Sequence, residues 1–293
     1  MSVVPYQDPP AAFRGQMVDV GGRRLRVVRA GQPSARPTIV LEHGAFGCAA
    51  DWAVVQERLA ARGLASLAYD RAGLGHSEPG PKPRDGHAIV SDLAALLREL
   101  DEVGPFVLVG HSMGGLMVRL YALTHPRQVL GVVMVDAVTP DVITNPVGEK
   151  GVYAFSRILG WVSQGARYGM MRPVAAVAGD RIGLPPDASA EKRRIHGSAS
   201  HAQWAAEEVS QWRATSEQAR AADFPPAMPI AVITAGAENT VTALKEIQSV
   251  PAVASQNGYI EHVAGAGHAN LLGPRFAASI VRGVEHVLAT VKR

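Results

Sequence analysis

The sequence predicts a doubly wound α/β fold with a mostly parallel central sheet and helices on both faces. Two observations predict it: short, almost continuously apolar runs recur along the 293-residue chain, and segments with helical periodicity separate them. Apolar runs without alternation are expected where helices cover both faces of a parallel strand. The predicted parallel strands are residues 38–44, 65–70, 106–112, 131–137, 230–236 and 258–265.

An antiparallel hairpin is predicted to open the sheet. Residues 17–20 and 23–31 have the composition of strands, and the Gly-Gly pair between them favours a tight turn. Helical periodicity is clearest at residues 89–100 and 276–291, where apolar side chains recur every three or four positions. Both segments are therefore predicted to be amphipathic helices that pack on the sheet.

The alternation of strands and helices breaks once, over a long segment without a convincing strand. That segment holds Trp161, Trp204 and Trp212, three of the four tryptophans. It is expected to be a helical insert with its own small core, or a cap whose apolar underside covers a pocket, and the two interpretations are compatible. The tryptophans are then expected to pack inward. The predicted division is residues 1–139 and 227–293 for the α/β core and 140–226 for the helical cap.

Composition narrows the functional classes. Hydrophobic residues make up 47% and charged residues 19%, as in ordinary globular proteins, and a net charge of +3 from scattered basic residues does not favour nucleic-acid binding. The single cysteine, Cys48, excludes an internal disulfide and gives no metal-binding cysteine pattern. No apolar run is long enough to span a membrane, and no signal-peptide pattern is found at the N-terminus, so a cytoplasmic location is expected.

A Gly-x-Ser-x-Gly motif, "GHSMG", lies where a predicted strand gives way to a helix. It places Ser112 between Gly110 and Gly114, after the apolar run and before the amphipathic residues 116–121. A strained strand–turn–helix elbow lifts a serine hydroxyl above the sheet, and glycines permit the close approach of the neighbouring backbone. The context predicts that Ser112 is a nucleophile rather than part of an ordinary turn.

A serine nucleophile needs donors for a developing oxyanion. The segment "LEHGAFG", residues 41–47, ends a predicted strand and can turn its amides toward the serine. Ala45 is the preferred first donor, with Phe46 as the alternative, and the amide of Met113 supplies the second.

These motifs, together with "YDRAGLGHSEPG" (69–80) and "GAGHAN" (265–270), resemble those of the α/β-hydrolase fold family over nearly the whole chain. The resemblance implies an oxyanion amide from the first motif, the nucleophile from "GHSMGG" and the catalytic histidine, His268, from the last. It also implies that the "DRAGLGHS" loop is structural, so Asp70, Arg71 and His76 receive no catalytic role. The other histidines weighed are expected to be structural or at most pocket-lining: His43, His111, His196, His201 and His262.

The triad acid departs from the common family pattern. Three residues after the glycine that closes the run 230–236 stands Asn239, whose amide cannot carry the charge that stabilises an imidazolium. Asp136, at the end of an earlier strand, is predicted to take the role, as in the haloalkane dehalogenase group. Glu238 is the alternative, and Asp141, or no acid, is the third option.

Serine, histidine and a carboxylate suit acyl transfer. Epoxide hydrolases and dehalogenases that resemble this chain use a carboxylate nucleophile at the elbow, so Ser112 argues against both reactions. The sequence predicts a serine hydrolase that cleaves a carboxylic ester of a small to medium, mostly apolar substrate, without metal or organic cofactor. Thioester, lactone, amide and carbon–carbon bond cleavage stay open, as do a non-catalytic ligand-binding protein and a homodimer.

Overall fold

A computed structural model describes residues 14–34, 36–141, 146–236 and 242–291, without the side chains of 146–149 and 291. Its centre is an eight-stranded sheet in the order β1-β2-β4-β3-β5-β6-β7-β8. The strands are β1 Gln16–Asp19, β2 Arg24–Ala30, β3 Ile39–Glu42, β4 Ser66–Tyr69, β5 Phe106–His111, β6 Val129–Val135, β7 Ile230–Gly236 and β8 Gly258–Ala264.

Pairing within the sheet follows the predicted pattern. β1 and β2 form the expected antiparallel hairpin, in which Asp19 Oδ1 accepts hydrogen bonds from the amides of Gly21 (2.8 Å) and Gly22 (3.0 Å). β2 also pairs antiparallel with β4. The remaining five pairs, β4–β3, β3–β5, β5–β6, β6–β7 and β7–β8, are parallel. The predicted α/β fold class is therefore confirmed.

Helices cover both faces of the sheet. Along β3, Ile39 and Leu41 face a core with α1 and α10, while Val40 faces the opposite core with α2 and α3. This two-sided burial is why the inner parallel strands are almost continuously apolar. The expectation is wrong for the edge strand β8, which is exposed at alternate positions and carries Glu261 and His262. The helices of the described residues are α1 Ala53–Ala61, α2 Gly86–Glu99, α3 Gly114–Thr124, α4 Pro146–Arg167, α5 Met171–Ala178, α6 Pro186–His196, α7 Ala199–Ser210, α8 Trp212–Ala219, α9 Ala243–Ala254 and α10 Ala277–Val291.

Between β6 and β7, the described residues contain helices and no strand. We call α4 to α8 the insert. Its tryptophans do not all pack inward: Trp204 and Trp212 are buried, but Trp161 is 75% exposed. The expectation is wrong for Trp161, which lies off the buried stripe of α4 formed by Leu159 and Ala166.

The insert is tied to the core beneath α6, at a contact that we call the α6 joint. Lys192 Nζ donates a hydrogen bond to Asp51 Oδ1 at 2.6 Å, and both side chains are buried. The thiol of Cys48 donates to the same carboxylate oxygen, with a sulfur–oxygen distance of 3.7 Å. Burial, and next the negative charge of Asp51, raise the pKa of the Cys48 thiol well above its ordinary value, so the thiol stays protonated.

Candidate active site

Ser112 stands in a strained elbow between β5 and α3. Its φ of 53° lies in the left-handed region, its amide donates to the Val135 carbonyl (3.1 Å), and its side chain is half-buried. The flanking glycines are needed for space. A Cβ at Gly110 would lie 2.6 Å from the Gly114 carbonyl oxygen, and one at Gly114 would lie 2.5 Å from that of Glu42.

Backbone strain is concentrated at this site. The described part of the chain has four non-glycine residues with positive φ, and three of them are Phe46 (57°), Ser112 and Asp136 (41°). Each such residue costs on the order of 1–3 kcal/mol and persists where the surrounding structure holds it, most often at functional sites. All three follow strands whose carboxyl ends meet at one edge of the sheet.

Asp136 and His268 are joined by a hydrogen bond. His268 Nδ1 donates to Asp136 Oδ2 at 2.6 Å, while Asp136 Oδ1 accepts from the Ala235 amide at 3.3 Å and from Gln248 Nε2 at 3.4 Å. Burial raises the pKa of Asp136, but the hydrogen bond and the electrostatic interaction with His268, and the hydrogen bond from the Ala235 amide, outweigh it, so the pKa lies below its usual range. The carboxylate is therefore charged at neutral pH and fixes the histidine ring.

The backbone that carries His268 is held by His111, the residue before the nucleophile. His111 Nε2 donates to the His268 carbonyl oxygen at 3.0 Å, and the two ring centroids lie 4.6 Å apart. Burial and the electrostatic interaction with His268 lower the pKa of His111 to about 3, so His111 is neutral. The side chain of His268 itself is 53% exposed. The structure thus brings the predicted histidine and acid to the strand edge where Ser112 lies.

The second strand-end segment is the loop 43–47, which follows β3. Gly44 lies against the nucleophile, since a Cβ there would be 3.0 Å from Ser112 Cβ. The amide of Gly47 donates to the Gly44 carbonyl (3.2 Å), which closes a turn that has Phe46 at its positive-φ corner. In the described part of the chain, neither the Ala45 nor the Met113 amide donates to another protein group. Both amides are free to bind a ligand oxygen.

Arg71 fixes the direction of this loop. Its Nη1 donates to the His43 carbonyl at 2.7 Å and its Nη2 to the Gly44 carbonyl at 3.0 Å. In a planar trans peptide, the N–H points opposite to the C=O. Because Arg71 holds the Gly44 carbonyl, the Ala45 N–H points away from Arg71.

Two buried carboxylates hold Arg71 in turn. Nη1 donates to Glu42 Oε1 (2.6 Å), and Nε and Nη2 donate to Glu208 Oε1 and Oε2 (2.9 and 2.8 Å) in a bidentate pair. Burial raises the pKa of Glu42, although Arg71 and the hydroxyl of Tyr69 oppose that rise. Glu208 belongs to α7, so this pair joins the insert to the loop.

His201, two helical turns from Glu208 on α7, binds the same loop. Its Nδ1 accepts from the Gly75 amide (3.0 Å) and its Nε2 donates to the Phe46 carbonyl oxygen (3.3 Å). Burial lowers the pKa of His201 to about 4, which keeps it neutral with the proton on Nε2. The sequence assigned His201 at most a pocket-lining position; the structure makes it a support of the loop. The signal was a histidine and a glutamate seven positions apart on one helix, the spacing of a shared face.

The alternative acids fall elsewhere. Glu238 and Asn239 lie in residues 237–241, outside the described residues. Asp141 Oδ1 lies 3.5 Å from Arg220 Nη2, in an ion pair on the insert side. Asp70 accepts from the amides of Ala49 (2.7 Å) and His76 (2.9 Å), contacts of a structural loop. Among the described residues, no group of three or more histidine, cysteine or carboxylate side chains could hold a metal ion.

Sequence comparisons with known proteins give matches over part of the chain. A family model described as alpha/beta hydrolase fold matches residues 37–163. An aligned region of 121 residues is 38% identical to epoxide hydrolase A of Mycobacterium tuberculosis. This region covers 40% of this chain and 36% of that protein. A second aligned region, of 118 residues, is 37% identical to an sn-1-specific diacylglycerol lipase of Mus musculus. This region covers 40% of this chain and 37% of that protein.

Solved structures match over nearly the whole chain. An esterase from Thermogutta terrifontis superposes with a TM-score of 0.68 at 20% identity, covering 94% of this chain and 99% of that one. A putative epoxide hydrolase from Pseudomonas aeruginosa superposes with a TM-score of 0.72 at 20% identity, covering 98% and 99%. The chain has the α/β-hydrolase fold, and its residues 37–163 match the family model of that fold.

Proposed function

We propose that the protein is a serine hydrolase that cleaves carboxylic esters of small to medium, mostly apolar substrates through an acyl-enzyme. The observation that carries the proposal is the 2.6 Å hydrogen bond from His268 to Asp136 at the strand edge where the strained elbow presents Ser112. A histidine oriented by a buried carboxylate is the base that a serine hydroxyl requires. Epoxide hydrolases and esterases both occur among the similar proteins, and the serine at the elbow favours ester cleavage.

In the acylation step, Ser112 Oγ attacks the acyl carbon while His268 Nε2 takes the hydroxyl proton. The charge that develops on the carbonyl oxygen is bound by the amides of Ala45 and Met113. The ester C–O bond then breaks, His268 returns the proton to the leaving alkoxide, and the alcohol departs. Asp136 holds the histidine tautomer and stabilises the transient imidazolium.

In the deacylation step, water attacks the acyl carbon and His268 takes one of its protons. The bond between the acyl carbon and Ser112 Oγ breaks, and the proton passes from His268 to the serine. The carboxylic acid leaves and the free enzyme is restored. Arg71 acts as a positioning residue in both steps, because it fixes the peptide that carries the Ala45 amide.

The insert is proposed to act as a cap over Ser112, with the division at residues 140–226. Leu159 of α4 and Trp212 of α8 belong to one apolar cluster with Met113, the residue after the nucleophile. Ala45 and Phe46 of the loop pack against the same cluster. These apolar side chains would surround the acyl chain of a substrate, which supports an apolar acyl group over a charged one.

Labelling with a fluorophosphonate, followed by mass mapping of the adduct, tests the nucleophile. The adduct is expected on Ser112, and Ser112→Ala should lose the label and about 10⁶-fold in kcat toward p-nitrophenyl esters, since the whole triad acts through this atom. An adduct elsewhere, or full esterase activity in Ser112→Ala, would contradict the assignment. A panel of thioesters, lactones, amides and epoxides run beside the esters identifies the bond class; a clear preference for one of these over esters would replace the ester proposal.

A further inference from the structure

The outer side of the insert exposes an apolar surface that no residue of the described chain covers. Large apolar side chains are exposed on α4, on α5 and on the turn between them, each by more than half. We call this surface the outer apolar patch: Tyr153, Ile158, Trp161, Tyr168, Met170 and Val177. Single exposed apolar residues are common on soluble proteins, but six on two consecutive helices and the turn between them are an unusual concentration, which motivates the inference below.

The exposed apolar residues of α4 lie on the side of the helix that does not pack against the core. The opposite side of this helix is already packed, with Leu159 buried and Phe155 in contact with the apolar cluster around Met113. Trp212 meets the Phe155 ring edge-on, with centroids 6.4 Å apart. α4 therefore has two apolar sides, and the core uses one of them.

The charges of α4 and α5 indicate which kind of partner would cover the exposed apolar side. From the start of α4 to the end of α5, residues 146–178 contain four basic residues, Lys150, Arg157, Arg167 and Arg172, and one acidic residue, Glu149. All four basic residues are exposed. A surface of exposed tryptophan, tyrosine and aliphatic side chains among arginines and lysines has the chemistry of helices that lie in the interface of an anionic lipid bilayer.

A second copy of the chain fits this surface less well. In a two-fold symmetric contact, the same patch meets itself, so the arginines of one copy would face those of the other. Like charges brought together out of water repel strongly. An anionic lipid surface supplies the opposite charge and accepts the apolar side chains at the same time.

We propose that the outer apolar patch docks the protein onto the surface of an anionic lipid bilayer, with Trp161 and Tyr168 in the headgroup region. This is surface association only: no helix among the described residues has the length and apolar character that a membrane span needs. The proposal does not depend on the catalytic assignment, and Ser112→Ala should bind vesicles as the unmodified protein does.

The chain carries its own reporter for the test. Trp161 is 75% exposed, whereas the other three tryptophans, Trp52, Trp204 and Trp212, are buried. A blue shift of the tryptophan emission on vesicle addition would therefore arise from Trp161. Vesicles of phosphatidylcholine alone and of an equal mixture with phosphatidylglycerol are the probes, with co-sedimentation as a second measurement at low and at high salt.

The expected result is a blue shift and co-sedimentation with phosphatidylglycerol vesicles at low salt, weakened by high salt and absent with phosphatidylcholine alone. Trp161→Ser with Tyr168→Ser should abolish co-sedimentation, and Arg157→Glu with Arg167→Glu should reduce it at least tenfold. Val253→Ser is the matched control, because Val253 is 73% exposed but lies on α9 of the core. Circular dichroism checks that each variant is folded.

Four outcomes would overturn the proposal. One is the absence of co-sedimentation with phosphatidylglycerol vesicles at low salt. Another is equal binding to both vesicle types. The third is a loss of binding in Val253→Ser equal to that in the patch variants. The fourth is a dimer in size-exclusion chromatography that Trp161→Ser dissociates, which would assign the patch to a second copy of the chain.

Discussion

The two sides of Ser112 differ in how tightly the surrounding residues hold them. On one side, the loop 43–47 is fixed by the fully buried Arg71, which reaches both a core strand through Glu42 and the insert through Glu208. On the other side, His268 is 53% exposed and is held by Asp136 and by one backbone hydrogen bond from His111. The side proposed to bind the oxyanion is rigid, and the side proposed to move protons faces solvent. Rigid donors are what charge stabilisation needs, whereas a histidine that serves twice as base must meet both a substrate and a water.

Asp136→Asn tests the exposed side and should have the largest effect. The amide keeps the size of the side chain but removes the charge and favours the wrong histidine tautomer, so kcat should fall about 10⁴-fold. Ester turnover measures it, with Glu238→Gln as the control that should change little. A large loss in Glu238→Gln and a small one in Asp136→Asn would transfer the role of the acid to Glu238.

Glu208→Gln tests the rigid side. Loss of the bidentate partner lets Arg71 shift and misplaces the Ala45 amide, so kcat should fall about 10- to 100-fold with little change in KM. Breaking this buried pair should also lower the free energy of unfolding by about 3–5 kcal/mol.

The matched control for this variant is the neighbouring residue on α7. Glu207→Gln removes a pair with the half-exposed Lys82 and should leave kcat unchanged, since surface pairs contribute about 0–1 kcal/mol. If Glu208→Gln loses stability but keeps its kcat, Glu208 is structural only and Arg71 does not position the loop.

Acid should weaken the rigid side through His201, with the smallest effect of the three. The pKa of His201 is about 4 in the folded protein, against an ordinary value of 6.5. Between about pH 6.5 and about pH 4, His201 is protonated in the unfolded chain but stays neutral in the folded protein. The contribution of His201 to the free energy of unfolding is therefore present at neutral pH and is lost as the pH falls toward 4. His201→Gln keeps a donor and an acceptor without titrating. Its free energy of unfolding in urea should fall less between about pH 7 and about pH 4 than that of the unmodified protein. Parallel pH profiles would contradict a neutral, buried His201.

The sequence predicts the strand-end residues well because their positions are local. Ser112 and His268 lie in short motifs, and Asp136 closes an apolar strand, so each can be placed at the sheet edge from its neighbours alone. The partners of Arg71 are different. Glu208 lies 137 positions away on a helix without a motif, and only the folded insert brings the two together.

The helical periodicity of α4 predicts the exposure of Trp161, which the number of tryptophans in the insert does not. Phe155, Leu159 and Ala166 recur at intervals of four and seven along α4, which is the spacing of one helical face. Trp161 lies two positions after Leu159, roughly 200° around the helix. The exposure of Trp161 follows from that angle, whereas the concentration of tryptophans in the insert led to the expectation of inward packing.

The α6 joint gives the single cysteine an unusual use. Cys48 is fully buried beneath insert residues, and its protonated thiol cannot react with an alkylating reagent while Lys192 and Asp51 stay paired. Each alkylation therefore records one excursion in which the insert has lifted from the core. The labelling rate at increasing urea separates the free energy of that local excursion from the free energy of complete denaturation. The chain thus contains, without any engineered probe, a reporter of how often the α6 joint opens.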